Sequence, residues 1–145
     1  MIRAENLYKS FDGQPVLRGL SLEVATGEIM IIIGRSGGGK TVFLRHLLGL
    51  IRPDTGRVLV DGTDITRLRR RALDRIRERY GVVFQGGALF DSMTVFDNVA
   101  FPLREKKRLP VREVAARVEE KLAQVGLAGM GHKYPAEISG GMKKR

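Results

Sequence analysis

The sequence predicts an α/β fold built around a phosphate-binding loop, with a block of helices toward its carboxyl end. Three observations predict it. The stretch Gly34–Thr41 matches the pattern G-x-x-x-x-G-K-[ST] at every fixed position. The run Ile29–Ile33 before it is aliphatic and rich in isoleucine, which is typical of a strand buried on both faces. From Thr94 onward the apolar residues recur at helical spacing.

Short strands are predicted in the first part of the chain. Ile2–Leu7 has the composition of a strand, and Asp12-Gly13 favours a turn before Pro15. The residues after this turn alternate between apolar and polar, which predicts a second strand, although Leu17 is out of phase. The apolar positions of that strand are Val16, Leu20, Leu22 and Val24.

Apolar spacing also predicts the elements that follow the phosphate-binding loop. A helix begins at about Val42 and ends before Pro53, and a strand is predicted over Gly56–Val60. A helix over about residues 67–79 and a strand over residues 81–84 complete this part.

Helices are predicted in the remainder. One begins at Thr94, with a kink expected near Pro102. A more strongly amphipathic helix over residues 111–125 is stopped by Gly126. The chain is therefore divided into a strand-rich part over residues 1–90 and a helical part over residues 91–145.

The phosphate-binding loop predicts binding of ATP and Mg²⁺. Small residues let backbone N–H groups turn inward around a phosphate, and the next helix directs its positive end at the same oxygens. Lys40 reaches the β- and γ-phosphates, and the Thr41 hydroxyl is placed to ligate Mg²⁺. The predicted nucleotide-binding residues are Gly34, Arg35, Ser36, Gly37, Gly38, Gly39, Lys40 and Thr41. The alternative is a glycine-rich turn without a ligand.

The composition bounds the class of protein. Lys and Arg number 26 against 16 Asp and Glu, a formal charge of +10, which favours an anionic partner or reflects an absent acidic stretch. Without Trp and with three Tyr, the chain lacks the aromatic platforms of a nucleic-acid-binding domain. Cysteine is absent, which excludes disulfides and thiolate metal sites. Short aliphatic runs and the lack of a signal-peptide pattern predict a cytoplasmic location.

The segment Ile138-Ser139-Gly140-Gly141-Met142 carries a family resemblance. By itself, a serine before two glycines is often a helix N-cap. Downstream of a P-loop, it resembles the LSGGQ signature of ABC-transporter ATPases, and the resemblance covers the whole chain. It implies a P-loop NTPase fold: an antiparallel β subdomain and a partial RecA-like core over residues 1–90, then a helical subdomain over residues 91–145.

The same resemblance implies roles for further residues. Phe11 would stack on adenine with Val16 packed nearby, and Gln85 would contact the metal ion and the attacking water. The signature would complete the site of a second protomer in a head-to-tail homodimer, through Ser139, Gly140 and Gly141. The alternatives are a core or turn aromatic at Phe11 and a surface glutamine at position 85.

One subgroup is more similar still. The segments Gln85–Val99 and Pro102–Glu105, with Met142, resemble the ATPases of MCE-type phospholipid transporters. This implies lipid transport by a protein peripheral to the inner face of the bacterial cytoplasmic membrane. A permease would dock in a groove around residues 85–98, where Leu89 and Phe90 are apolar, and an MCE-type lipid-binding subunit would act indirectly.

Part of the family's hydrolytic site has no counterpart in this sequence. Val58–Asp61 is followed by Gly62 rather than Glu, and both His46 and His132 precede the signature. The Walker B, aspartate-loop and switch-histidine segments are therefore not among these residues. We expect residues 1–145 to be inactive alone; the alternative function is a nucleotide-binding fragment without turnover.

A cluster of arginines between residues 67 and 79 remains open to two interpretations. It would contact anionic lipid headgroups or form a solvated helix face. Its members are Arg67, Arg69, Arg70, Arg71, Arg75, Arg77 and Arg79.

Overall fold

The computed structural model describes residues 1–84, 87–107 and 109–145. The chain folds as two compact units, an amino-terminal unit over Met1–Gly81 and a helical unit over Val82–Arg145. The sequence predicts the division after residue 90, whereas the boundary between the two units lies between residues 81 and 82. Within the described residues, no helix has the length and apolarity needed to cross a membrane.

A four-stranded antiparallel sheet forms most of the amino-terminal unit. Its strands are β1 (Ile2–Phe11), β2 (Gln14–Val24), β3 (Thr55–Val60) and β4 (Thr63–Asp64), in the order β2-β1-β3-β4. The central strand β1 pairs with β2 on one side and with β3 on the other. The predicted antiparallel β subdomain is thus confirmed, and β3 belongs to it as expected.

Both helices of this unit are shorter than the sequence predicts. Helix α1 spans Lys40–Leu47, and it ends there because Gly49 takes the left-handed conformation, at φ +63°, that closes many helices. Helix α2 spans Arg70–Arg77. The residues before it form a separate 3₁₀ turn, Ile65–Arg67, which Asp64 caps by accepting from the Thr66 N–H at 2.9 Å.

A β-bulge at Gly19 explains why Leu17 is out of phase in the sequence. Successive residues of β1 pair with residues 20 and 18 of β2, so Gly19 is an extra residue. It adopts φ +79°, which glycine takes without strain, and a Cβ there would lie 2.7 Å from the Tyr8 hydroxyl. Because the bulge reverses the phase of β2, Leu17 and Leu20 both face the core.

The core of the amino-terminal unit joins the sheet to α1. Phe43 of α1 is buried with residues from three strands and the 3₁₀ turn. Burial of such a side chain stabilises the fold by about 1.5–3 kcal/mol. The buried residues are Ala4, Leu7, Leu17, Phe43, Val58, Val60 and Ile65.

Two predicted strands are absent from the sheet. The run Ile29–Ile33 is in no strand, and Ile29, Ile31 and Ile33 are 90%, 75% and 90% exposed. Residues 82–84 are also in no strand, and Val83 is 82% exposed. None of the four strands pairs with either run. The predicted strand over residues 81–84 is therefore not formed, whereas Ile29–Ile33 is unpaired and uncovered, as we expect of that run when residues 1–145 stand alone.

The helical unit is built on two helices. Helix α3 spans Val95–Lys107 with Pro102 inside it, and α4 spans Val111–Gln124. A 3₁₀ turn, Pro135–Glu137, and the short helix α5, Gly140–Lys143, follow. The buried residues that join these elements are Val95, Ala100, Val114, Val118, Leu122, Leu127 and Ile138.

Candidate nucleotide-binding site

The amino end of α1 is open to an anion. The helix begins at Lys40, its N-cap is Gly39, and no side chain caps it or places an acidic group in the first turn. The first N–H groups of any helix lack partners within the helix. Together with the positive end of the helix dipole, these groups favour a phosphate at this position.

Glycines are required in the loop before α1. Gly37 and Gly39 adopt φ +77° and +81°, which side chains disfavour. A Cβ at Gly39 would also lie 3.2 Å from both Val16 Cγ1 and the Val16 carbonyl oxygen. At Gly38 the nearest atom to such a Cβ would be the Arg35 carbonyl oxygen, at 3.1 Å. The loop therefore approaches its surroundings, Val16 among them, through bare backbone.

Lys40 spans the loop. Its Nζ donates hydrogen bonds to the Gly34 and Arg35 carbonyls, both at 2.7 Å. The ammonium group is thereby held over the backbone of the loop. Phosphate oxygens would offer it stronger, charge-assisted acceptors than these two carbonyls.

Two buried side chains anchor α1 behind the loop. Phe43 and His46 are each 1% exposed. His46 Nδ1 lies 2.7 Å from the Val42 carbonyl oxygen, and Nε2 is buried with no hydrogen-bond partner among the described residues. Burial lowers the pKa of the His46 imidazole below its usual value. Thr41 lies on the exposed side of α1, where its hydroxyl is accessible.

Phe11 lies at the hairpin end of β1, opposite Gln14. Its side chain is 44% exposed, and Lys9 Nζ lies 5.4 Å from the ring centroid. A turn aromatic with an open face and a nearby cation suits stacking on a base near phosphates. The interpretation of Phe11 as a core aromatic is thus wrong, whereas its role toward adenine remains a prediction.

The signature residues cap a short helix in the helical unit. Ser139 Oγ accepts from the Met142 N–H at 3.2 Å at the start of α5. Ile138 is 8% exposed and anchors the segment, while Ser139, Gly140 and Gly141 are exposed. The N-cap interpretation is correct for Ser139, and its exposed position also leaves it accessible to a second molecule.

The predicted permease groove is described only in part. Gln85 lies outside the described residues. Leu89 and Phe90 are 37% and 49% exposed, and the rings of Phe90 and Phe101 are 5.3 Å apart between centroids. Leu89 and Phe90 thus form part of an exposed apolar surface on the helical unit, together with Phe101.

The arginine cluster does not act as one surface. Arg67 pairs with Asp64 at 3.5 Å, and Arg79 pairs with Asp61. Arg77 instead donates to the carbonyl groups that end α1. Sequence reasoning missed this contact, because charge spacing alone does not distinguish an arginine that caps a neighbouring helix from a solvated one.

Metal binding depends on few side chains here. Among the described residues, no three His, Asp or Glu side chains cluster as a metal site would require. The predicted Mg²⁺ contacts are Thr41 and Gln85 together with phosphate oxygens, and oxygen donors are what this hard cation accepts.

Comparison with known proteins identifies the family. The family model described as ABC transporter matches residues 17–145. The protein named "Probable ribonucleotide transport ATP-binding protein mkl" of Mycobacterium leprae is 47% identical over 144 residues, which are 99% of this chain and 42% of that protein. The intermembrane phospholipid transport system ATP-binding protein MlaF of Haemophilus influenzae is 43% identical over 145 residues, which are 100% of this chain and 55% of that protein.

A solved structure has the same fold. It is a dimeric ATP-binding cassette in a post-hydrolysis state, bound to ADP and Pi, with a TM-score of 0.85 and 29% identity. The match covers 99% of this chain and 65% of that one. The chain therefore spans about half the length of its curated relatives and less than two thirds of the solved cassette.

Proposed function

The chain belongs to the ABC transporter family, and on that basis we propose that it binds Mg-ATP and, in the complete protein, hydrolyses it to drive membrane transport. The glycine loop before α1 carries this proposal, because a side chain at Gly39 would be strained at positive φ and tight against Val16, and because Lys40 lies over the backbone of the loop. ATP supplies the phosphoanhydride bond whose hydrolysis drives transport, and Mg²⁺ neutralises part of its charge.

The residues of this chain divide the binding of nucleotide among them. The N–H groups of residues 36–41 and the Lys40 ammonium would hold phosphate oxygens. Thr41 would contribute a hydroxyl to Mg²⁺, with Gln85 as a second contact. Phe11 would orient the base through its open face, beside Val16.

The signature would act on a second protomer. Ser139, Gly140 and Gly141 are exposed, and the solved cassette with this fold is dimeric. A head-to-tail homodimer would bring this segment to the nucleotide held by the partner's P-loop, giving two equivalent sites. The N–H groups at the start of α5 would then point toward the phosphates of that nucleotide.

A lipid is the proposed substrate. The relative MlaF is named for phospholipid transport, and the segments Gln85–Val99 and Pro102–Glu105 resemble that subgroup. A permease would bind the exposed surface that includes Leu89 and Phe90, and an MCE-type subunit would deliver or receive lipid. The protein would then lie at the inner face of the cytoplasmic membrane. Other relatives are named for ribonucleotide transport and for methionine import, so both of those substrates compete with a lipid.

Nucleotide binding is tested on the full-length protein by titration with Mg-ATP. Lys40→Ala should weaken binding by about 1.5–3 kcal/mol, the value of a charged hydrogen-bonding group. Arg45→Ala is the matched control, since Arg45 is an exposed cation on the same helix. Unchanged affinity in the Lys40 variant would contradict the assignment. Binding without turnover would favour the alternative of a nucleotide-binding regulator.

The substrate is tested with the protein reconstituted together with its permease. ATP turnover should rise when phospholipid is supplied and stay constant when ribonucleotide is added. Stimulation by ribonucleotide alone would overturn the lipid assignment and leave the ATPase assignment intact.

A further inference from the structure

Arg77 and Tyr80 close the carboxyl end of the P-loop helix α1. Arg77 Nε donates to the Leu48 carbonyl at 3.1 Å, and its Nη2 donates to the Gly49 carbonyl at 2.7 Å. The Tyr80 hydroxyl donates to the Leu47 carbonyl at 3.1 Å. These carbonyls belong to the turn that ends α1, where backbone acceptors have no partner within the helix.

The guanidinium group is held in place from the other side as well. Asp74 Oδ1 accepts from Arg77 Nη1 at 3.1 Å. One turn earlier on α2, Leu73 packs so closely on Gly49 that a Cβ there would lie 2.7 Å from Leu73 Cδ1. The arginine is therefore oriented by an acidic neighbour and by the packing of its own helix. Its planar fork matches two adjacent carbonyls, a geometry that a lysine cannot reproduce.

Arg77 differs in this respect from the exposed arginines beside it. Arg75 lies two residues earlier on α2, is exposed, and makes no hydrogen bond or ion pair with the part of the chain that the structure describes. The pair offers a matched comparison of equal charge on one helix, with and without contact to α1.

The two ends of α1 are mechanically connected. The helix has 8 residues, a length of about 12 Å at 1.5 Å per residue, and so short a helix is not stable without external contacts. Lys40 is its first residue, and the Arg77 contacts lie just past its last. At such a separation, the direct attraction between Arg77 and a phosphate is screened by salt over about 8–10 Å. An effect of Arg77 on the phosphate site would therefore act through the position of the helix.

We propose that Arg77 is a positioning residue for phosphate binding: by holding the carboxyl end of α1, it fixes Lys40 and the loop N–H groups at the other end. Tyr80 assists through the Leu47 carbonyl. The inference rests on the proposed binding of Mg-ATP at the P-loop, and it gives the arginine cluster one member with a defined role.

The test uses the full-length protein and measures Mg-ATP affinity together with KM and kcat. Arg77→Ala and Arg77→Lys should each weaken Mg-ATP binding about five- to twentyfold, because only a part of the loss of two charge-assisted hydrogen bonds would be transmitted along the helix to the phosphate site. KM should rise with kcat little changed, since no reacting atom contacts Arg77. Arg75→Ala should stay within about twofold, as surface substitutions do.

Two further variants separate the failure of this inference from that of the proposed function. If Lys40→Ala leaves Mg-ATP affinity unchanged, the proposed function fails. If Lys40→Ala weakens binding while Arg77→Ala lowers only the melting temperature, the positioning role is overturned. Should Arg77→Ala not fold, Tyr80→Phe decides: removal of one hydroxyl donor should weaken Mg-ATP binding about two- to fivefold, and unchanged affinity would overturn the inference.

Discussion

The side-chain amide of Asn98 binds both the backbone N–H and the backbone carbonyl of Phe90. Its Oδ1 accepts from the Phe90 N–H at 2.8 Å, and its Nδ2 donates to the Phe90 carbonyl at 3.1 Å. Nδ2 also lies 3.2 Å from the Met93 carbonyl and 2.9 Å from the Thr94 carbonyl. The Asn98 amide, in the first turn of α3, thus fixes the loop that carries the exposed Phe90 ring.

The first prediction concerns this amide. Asn98→Asp is nearly isosteric, but a carboxylate has no hydrogen to donate and would face three carbonyl oxygens. We expect it to destabilise the helical unit by about 1 kcal/mol, the typical net value of a hydrogen bond, since the groups left unpaired are exposed or only partly buried. Chemical denaturation measures the loss, and hydrogen exchange at the Phe90 amide should accelerate. Ser92→Ala in the same loop should leave both unchanged; equal effects of the two variants would show that Asn98 is not specific.

The second prediction compares two glycines. Gly39→Ala and Gly13→Ala both place a side chain at positive φ, +81° and +76°, at a cost of about 1–2 kcal/mol. Only at Gly39 would the Cβ also crowd Val16, at 3.2 Å; at Gly13 nothing lies within 4 Å. We therefore expect Gly39→Ala to abolish measurable Mg-ATP binding in the full-length protein, and Gly13→Ala to lower stability while keeping affinity. Retained affinity in the Gly39 variant would contradict the loop geometry.

Local patterns predicted the elements whose cause is local. The Asp12-Gly13 turn, the antiparallel strands and the two long helices follow from residue types at fixed spacing. The phase reversal at Gly19 was visible as a misplaced Leu17, but its cause is a close approach to Tyr8 that sequence does not reveal. In the site, the motif predicted the loop and Lys40. It did not predict the role of Arg77, because Arg77 contacts Leu48 and Gly49, which are 29 and 28 positions away in the sequence.

The run Ile29–Ile33 has the composition of a buried strand but is uncovered in these residues, for a related reason. Its composition predicts burial correctly only when neighbouring strands supply hydrogen bonds and cover both faces. Within the run, Met30 and Ile32 are 41% and 44% exposed, less than Ile29, Ile31 and Ile33. The alternation of a strand is therefore present, without the pairing that would make it one.

The third prediction is a dependence of stability on pH. Burial lowers the pKa of His46 in the folded protein, whereas an unfolded histidine titrates near about 6.5. Below that value the unfolded chain binds a proton on His46 that the folded chain does not. The contribution of His46 to the free energy of unfolding is therefore complete above about pH 6.5 and is lost as pH falls toward the folded pKa. Nearby Lys9 adds to the shift and Asp54 opposes it.

Urea denaturation of the full-length protein between about pH 5.5 and 7.5 measures this slope, in a range where most carboxylates remain ionised. His46→Leu should remove the slope, and His132→Gln, which changes an exposed histidine, should retain it. A slope that persists in the His46 variant would assign it to other groups.

The fourth prediction concerns the signature. Ser139→Arg places a long cation on an exposed segment, where it would obstruct approach to a partner's nucleotide. We expect turnover of the full-length protein to be lost while Mg-ATP affinity at the P-loop stays within about twofold. Ser139→Ala removes only the N-cap, at a cost of about 1 kcal/mol, and separates capping from obstruction. If affinity falls as far as turnover, Ser139 does not act on a second protomer.

The last prediction concerns the exposed aliphatic run in a chain consisting of residues 1–145 alone. Ile29, Ile31 and Ile33 project into solvent with 90%, 75% and 90% exposure. Leaving even two or three such side chains uncovered forgoes roughly 4–7 kcal/mol, at about 1.5–3 kcal/mol each. That is comparable to a typical total stability of about 5–15 kcal/mol. An extended, aliphatic and unpaired segment is also a template for association. We therefore expect this chain to be poorly soluble. Because the Walker B, aspartate-loop and switch-histidine segments are not among residues 1–145, we also expect no ATP hydrolysis above background.

Substitution of the run distinguishes exposure from burial. Ile31→Lys should raise the solubility of residues 1–145 and leave the free energy of unfolding within about 0.5 kcal/mol, as at other surface positions. In a buried strand the same change would cost several kcal/mol, because it would bury an unpaired charge. Val111→Lys is the control, since Val111 is 84% exposed on α4 and lies outside any extended segment. It should leave solubility nearly unchanged, because association through a strand template requires the extended run.

A soluble, cooperatively melting chain without any substitution would contradict the prediction, and turnover that Lys40→Ala abolishes would contradict the expected inactivity.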